Sequence, residues 1–204
     1  MDMIKAIQNR ISRRSYLGTP LAENHLETLF QTMEQANSES GLTITFLADG
    51  GEAFEGTKSY GMFSGVKSML LLKGPSDLPH LKEKVGYYGE ELILLATSLG
   101  LGTCWVGGTF DKSSASFGIG PEETLVCVVP VGNVAEKETM KEKMIRGTVR
   151  HKVKEIEQMI EADRPLTEEE NAAMALVQIA PTARNTQKVL FHFNGDTITA
   201  TVPD

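Results

Sequence analysis

"YGEELILLATSLGLGTCWVGGTFD", residues 88–111, decides the architecture. Leu92, Leu95, Ala96 and Leu99 fall on one face of a helix, and Gly100 and Gly102 stand where such a helix stops. A run this apolar reads as a central core helix, extending a helical pattern that begins near residue 78. On its C-terminal side, "TLVCVVPVG" (124–132) is a buried strand by its β-branched content. On its N-terminal side, "VKSMLLLKG" (66–74) is an apolar strand ended by Gly74 and Pro75, and "LTITFLA" (42–48) alternates like a strand. Between those two, residues 49–65 are glycine-rich without periodicity and read as a mobile loop. Leu26, Leu29, Phe30 and Met33 predict a helix over about 22–36, and a short helix fits residues 3–10.

Further along, residues 135–147 read as a charged connection and "HKVKEIEQMIEA" (151–162) as a short amphipathic helix. "LTEEENAAMALVQIA" (166–180) opens with Thr167 and Glu170 at the spacing of an N-terminal capping box. "KVLFHF" and "TITATV" flank "NGD", a hairpin signal. Helices and strands therefore mix without strict βαβ alternation, which gives an α+β class.

The stretch 26–48 has an echo at 171–193: helix, Ala, polar loop, alternating strand, at matching length and low identity. Chance is the competing explanation, because helix–loop–strand units are common. The loops differ where it matters. "APTARNTQ" (180–187) carries a proline, an arginine and two carboxamides, whereas "ANSESGL" (36–42) has none of its proline, arginine or glutamine.

The 204 residues suit one large domain or two small ones, and 41% hydrophobic with 23% charged residues supports a sizeable core. A net charge of −7 argues against general nucleic-acid affinity but allows a local basic pocket. No apolar run approaches the roughly 20 residues a bilayer span needs, and "MDMIKAIQNR" lacks a signal-peptide core, so a cytoplasmic location without membrane association is expected. Cys104 and Cys127 read as small buried hydrophobes, and no metal-ligand spacing occurs. Walker, G-x-G-x-x-G, H-E-x-x-H and nucleophile-elbow motifs are absent.

Three separated segments resemble the flavin-dependent nitroreductase superfamily. "RISRRSY" fits its R-x-S-x-R-x-[FY] opening through Arg10, Ser12, Arg14 and Tyr16; residues 88–111 look like its long central helix and following glycine turn; "APTARNTQ" resembles its A-P-S-x-x-N-x-Q loop through Pro181, Thr182, Asn185 and Gln187. The loop stands late in the chain, which resembles a smaller branch in which one polypeptide imitates the family's dimer. The resemblance implies a nitroreductase-like fold: a central, mainly antiparallel sheet flanked by helices, with an internal pseudo-duplication. Residues 1–164 would be the core and 165–204 a helix–loop–hairpin packed into the same globule and completing the flavin site.

It also implies FMN as cofactor, with NAD(P)H as transient electron donor and a nitroaromatic, quinone or similar small molecule as acceptor. No protein side chain need be catalytic, since the flavin carries the chemistry. Arg10, Ser12 and Arg14 would grip phosphate or ribityl oxygens, sharing a face if the first helix continues. On its own that segment also fits a solvated basic turn. "RGTVRHKVKEI" (146–156) would complete the phosphate site through Arg150 and Lys152, or instead Arg146; His151 shows no catalytic partner. Asn185 can donate and accept along an isoalloxazine edge, with Pro181, Thr182 and Gln187 beside it. Gly107 and Gly108 permit close backbone approach to the ring, while Trp105 and Phe110 line its slot or belong to the core. Residues 49–65 shape or cover the pocket, or are plain surface.

Lys188 and Val189 depart from the family's usual proline and tryptophan. They motivate an alternative, a non-catalytic flavin-binding sensor or buffer, beside a specialised flavin enzyme of the same fold. A fused loop makes a monomer possible and does not exclude a homodimer.

Overall fold

The computed structural model describes residues 2–149 and 153–202, which form two compact units, residues 1–142 and 143–204. In the first, helix α1 (Met3–Asn9) is capped by Asp2, whose carboxylate accepts from the Lys5 N–H. Helix α2 (Glu23–Ser40) runs one turn further than its apolar stripe predicts and stops at Gly41, whose φ of 77° is left-handed. Helix α3 (Leu81–Ser98) is the central helix expected from the opening stretch, and it touches α1 and α2.

Four strands, β1 (Thr45–Leu47), β2 (Ser68–Pro75), β3 (Gly102–Thr103) and β4 (Glu123–Gly132), form an antiparallel sheet in the order β1-β2-β4-β3. Successive β2 side chains point to opposite faces. Leu70 and Leu72 join the core under α2 and α3, with Val129 and Val131. Met69 and Leu71 join a second core with Val128, Tyr16, Phe54, Phe63, Phe110 and Phe117. Both sheet faces are covered, which is why β2 and β4 are continuous apolar runs rather than alternating ones.

That second core corrects the reading of residues 49–65. Ala53, Phe54, Ser59 and Phe63 are buried, and the Ser59 hydroxyl donates to the Phe54 carbonyl at 2.7 Å. The glycines hide a packed layer because its apolar residues have no period. Phe110 belongs to the same core. Cys104 and Cys127 are buried free thiols; burial raises both pKa values, that of Cys127 to about 12.

Lys73 is buried at a β2–β4 bulge, with its ammonium 2.6 Å from Glu123 Oε1. Hydrogen bonds from Lys73, then Thr43 and the Gly120 N–H, lower the Glu123 pKa from 4.5 to about 2. A carboxylate depressed on folding stabilises above its ordinary pKa and loses that contribution as pH falls through the folded value. Urea midpoints are therefore expected to fall between pH 4.5 and about 2, with a shallower fall in Glu123→Gln. An equal slope in that variant would remove Glu123 from the account.

In the second unit, β5 (Ile160–Ala162) pairs in parallel with β6 (Leu190–Asn194), which pairs antiparallel with β7 (Thr197–Thr201) across the expected Gly195-Asp196 turn. Helix α5 (Glu168–Gln178) starts at the Thr167–Glu170 capping box, and the Arg164 guanidinium joins Glu170 to the Gly195 carbonyl. Met159, Met174 and Phe193 form this unit's core. Two expectations change. Residues 135–147 are not only a connection, since helix α4 (Met140–Val149) begins there. Within 151–162, the described residues hold a 3-10 turn, Ile156–Gln158, and β5 in place of an amphipathic helix. The partner that makes β5 a strand lies in β6, beyond the reach of a local pattern.

Candidate functional site

Helix α1 ends at Asn9, and Arg10 caps it in an extended conformation (φ −63°, ψ 124°). The chain then runs as a strand-like edge. Ser12 bridges Thr103 of β3 and Ser15 bridges Ser64, both in parallel. The Arg13 N–H donates to the Thr103 carbonyl at 2.8 Å, and the Tyr16 N–H donates to the Ser64 carbonyl at 2.9 Å. Arg10, Ser12 and Arg14 therefore lie beyond the end of α1, on a segment bridged to Thr103 and Ser64 and not on a continued helix. The Cys104 thiol lies close to this segment: burial raises its pKa, against the opposing charge of Arg14, a hydrogen bond with Ser12 and the charge of Arg10, and with a further upward push from Glu142.

Arg13 is buried. Its Nε donates to Glu142 Oε1 at 3.1 Å and its Nη1 to the Ala135 carbonyl at 3.0 Å. Glu142 Oε1 also accepts from the Arg14 N–H at 2.8 Å and the Ser15 N–H at 3.1 Å. Its Oε2 accepts from the Thr139 N–H and hydroxyl at 2.8 and 3.0 Å. Burial alone would raise this carboxyl's pKa; the hydrogen bonds, led by the Arg14 N–H, outweigh it and hold the value at about 2. Glu142 is the residue the sequence reading missed. The T-x-x-E spacing of Thr139 and Glu142 was its available signal.

Arg10 Nε is 3.6 Å from Glu90 Oε1 on α3, and Glu90 Oε2 accepts from the Trp105 indole N–H at 2.7 Å. Burial, outweighing that hydrogen bond and the Arg10 charge, raises the Glu90 pKa. Gly89, one residue earlier, leaves the space for the indole: a Cβ there would lie 2.7 Å from the ring. Trp105 is half-buried and leads into Gly107 and Gly108. Those glycines are exposed, have no positive φ, and a Cβ on either would meet no atom within 4 Å. Nothing in the fold demands glycine at these positions.

In the second unit the 180–187 loop contains a 3-10 turn, Ala183–Asn185, and three left-handed non-glycine residues: Arg184 (φ 52°), Asn185 (φ 54°) and Gln187 (φ 46°). Each such residue costs on the order of 1–3 kcal/mol, so the loop must be held by its surroundings. Gln187 holds it. Its buried carboxamide accepts from the Lys154 N–H at 2.8 Å and donates to the Gln178 carbonyl at 2.7 Å. Its own N–H donates to the Thr182 hydroxyl at 3.0 Å. Both polar ends of Gln187 are engaged with backbone, so the structure gives it a loop-holding role in place of the expected ligand contact. Pro181, Thr182 and Asn185 are half-buried, and Arg146 lies in the last turn of α4. Arg150, His151 and Lys152 lie outside the described residues.

A cavity of about 370 Å³ in the first unit is walled partly by Asp49, Glu52, Glu55 and Lys67. None of the residues expected from the sequence to hold a ligand lines it, and its three carboxylates would repel a phosphate. Among the described residues no helix is long and apolar enough to cross a membrane, and no group of three or more His, Cys, Asp or Glu could hold a metal ion.

A family model described as "Putative TM nitroreductase" matches residues 2–204. A solved structure described as a "putative nitroreductase" from Thermotoga maritima aligns over 99% of this chain and 76% of its own, at 18% identity and a TM-score of 0.58. A nitroreductase family protein from Clostridium difficile 630 aligns over 75% and 95%, at 16% identity and 0.55. A nitroreductase with bound FMN from Bacteroides fragilis aligns over 69% and 92%, at 16% identity and 0.53. These likenesses carry the α+β fold. No curated protein matches the chain significantly.

Proposed function

The chain belongs to the nitroreductase family, and from that membership we propose that it is an FMN-dependent NAD(P)H oxidoreductase reducing nitroaromatic, quinone or related small acceptors. The observation that carries the reading is the set of cations and donors at residues 10–14. Arg13 is buried against Glu142 and Arg10 lies 3.6 Å from Glu90, whereas the Arg14 guanidinium makes a long hydrogen bond, 3.4 Å, to the Ser12 carbonyl. Among the described residues no carboxylate lies within ion-pair distance of Arg14.

The donor set fits a flavin monophosphate. Guanidinium forks and a hydroxyl at alternate positions suit phosphate and ribityl oxygens, and two glycines without a conformational or packing cause leave room for a ring. When bound, FMN supplies hydride acceptance from the nicotinamide and electron delivery to the second substrate. The chain's own part is binding and orientation. Arg10, Ser12 and Arg14 take the phosphate end, with Arg150 and Lys152 adding charge. Gly107 and Gly108 offer backbone N–H groups to the ring. Asn185 presents a donor and an acceptor to the ring edge, with Pro181 and Thr182 shaping its loop and Gln187 holding that loop. In this reading residues 165–204 replace a loop that a partner subunit would donate, as an internal duplication would allow.

Purified protein, or protein loaded with FMN, is expected to be yellow, to bleach anaerobically with NADH or NADPH, and to recover its colour on adding a quinone or nitroaromatic. Protein that cannot be loaded with FMN defeats the reading. FMN bound without bleaching by either nicotinamide favours the non-catalytic binder that Lys188 and Val189 suggest.

A further inference from the structure

We infer that Glu142 is the positioning residue for the phosphate-binding end of the flavin site, an inference that rests on the FMN reading above. The carboxylate touches none of the side chains proposed to bind the cofactor. It grips the backbone that carries them: the N–H groups of Arg14 and Ser15 converge on Oε1 at 2.8 and 3.1 Å, and the Arg13 Nε reaches the same oxygen at 3.1 Å. The side chain of Arg13 and the N–H groups of Arg14 and Ser15 are tied to one oxygen, which fixes the backbone on both sides of the Arg14 Cα.

Its second oxygen does different work. Glu142 Oε2 accepts from the Thr139 N–H at 2.8 Å while the Thr139 hydroxyl accepts from the Glu142 N–H at 3.2 Å, a reciprocal cap on the first turn of α4. One buried carboxylate thus fixes the backbone of Arg14 and Ser15 and caps the first turn of α4. The Ser15 hydroxyl, 3.2 Å from the Thr139 hydroxyl, adds a second link between the two segments. A carboxylate is the only side chain of this shape that accepts at both oxygens. Glutamine in its place would turn an amide donor toward N–H donors.

The test compares FMN with riboflavin, which has the same ring and ribityl chain and no phosphate. The unmodified protein should bind FMN more tightly than riboflavin. Glu142→Gln is expected to lower FMN affinity about tenfold or more while riboflavin affinity stays within about twofold. A general loss of structure would weaken both ligands alike. An unchanged FMN-to-riboflavin ratio, or equal loss of both, overturns the inference and leaves the FMN reading standing. Failure of the unmodified chain to bind FMN overturns both. Should Glu142→Gln fail to fold, Thr139→Ala keeps the carboxylate and removes only the hydroxyl beside it. That variant should lower the ratio about threefold, and an unchanged ratio there also overturns the inference.

Discussion

Arg14→Ala is expected to lower FMN affinity by about 30-fold, because a charge-assisted pair to phosphate contributes about 2 kcal/mol. Riboflavin affinity should not change. The side chain's hydrogen bond within the protein is a long one, 3.4 Å to the Ser12 carbonyl, so its removal leaves no buried group stranded. The unfolding midpoint should accordingly stay within the range of ordinary surface substitutions, about 0.5 kcal/mol. Arg14→Lys should recover part of the affinity, since an ammonium restores the charge without the two-pronged geometry. Titration of apoprotein with both flavins, followed by quenching of flavin fluorescence, reads all of this. Equal weakening of FMN and riboflavin would place Arg14 away from the phosphate.

Gly65→Ala is expected to destabilise the first unit by about 3–5 kcal/mol, from left-handed strain and from overlap with backbone. Gly65 has φ +66°, and a Cβ there would sit 2.1 Å from the Tyr16 carbonyl oxygen. The contact cannot relax through a side-chain rotation, because the obstructing atom is main chain. It sits where residues 14–16 pair with Ser64 through the Tyr16 N–H and the Arg14 carbonyl. Gly61 supplies the control: φ is +65° with nothing within 4 Å of a Cβ, so Gly61→Ala should cost only the conformational share, about 1–2 kcal/mol. Thermal unfolding of the two variants separates the terms. Equal midpoints would mean that the close approach at Gly65 contributes nothing.

The proposed binding residues were unevenly legible. The R-x-S-x-R spacing of arginines and a hydroxyl is visible without any fold. The bridges that hold the segment were not visible. A strand spacing needs a neighbouring strand, and the neighbours of residues 12 and 15 are Thr103 and Ser64, far along the chain. Gln187 looked like a ligand group from its residue type, yet its carboxamide is engaged by the Lys154 N–H and the Gln178 carbonyl. Residue type alone does not reveal a side chain that holds its own loop.

The sequence by itself determined the elements whose cause is local. Helix α3 follows from apolar spacing within its own turns, the α5 start from Thr167 and Glu170, and the β6–β7 turn from Gly195 and Asp196. Only the tertiary structure decided what depends on distant partners: β5 as a strand beside β6, residues 49–65 as a core layer, and Arg13 withdrawn to Glu142. The physical reason is range. Helix caps and tight turns satisfy their own backbone groups within a few residues, whereas a strand edge or a buried charge is satisfied only by whatever the fold brings to it.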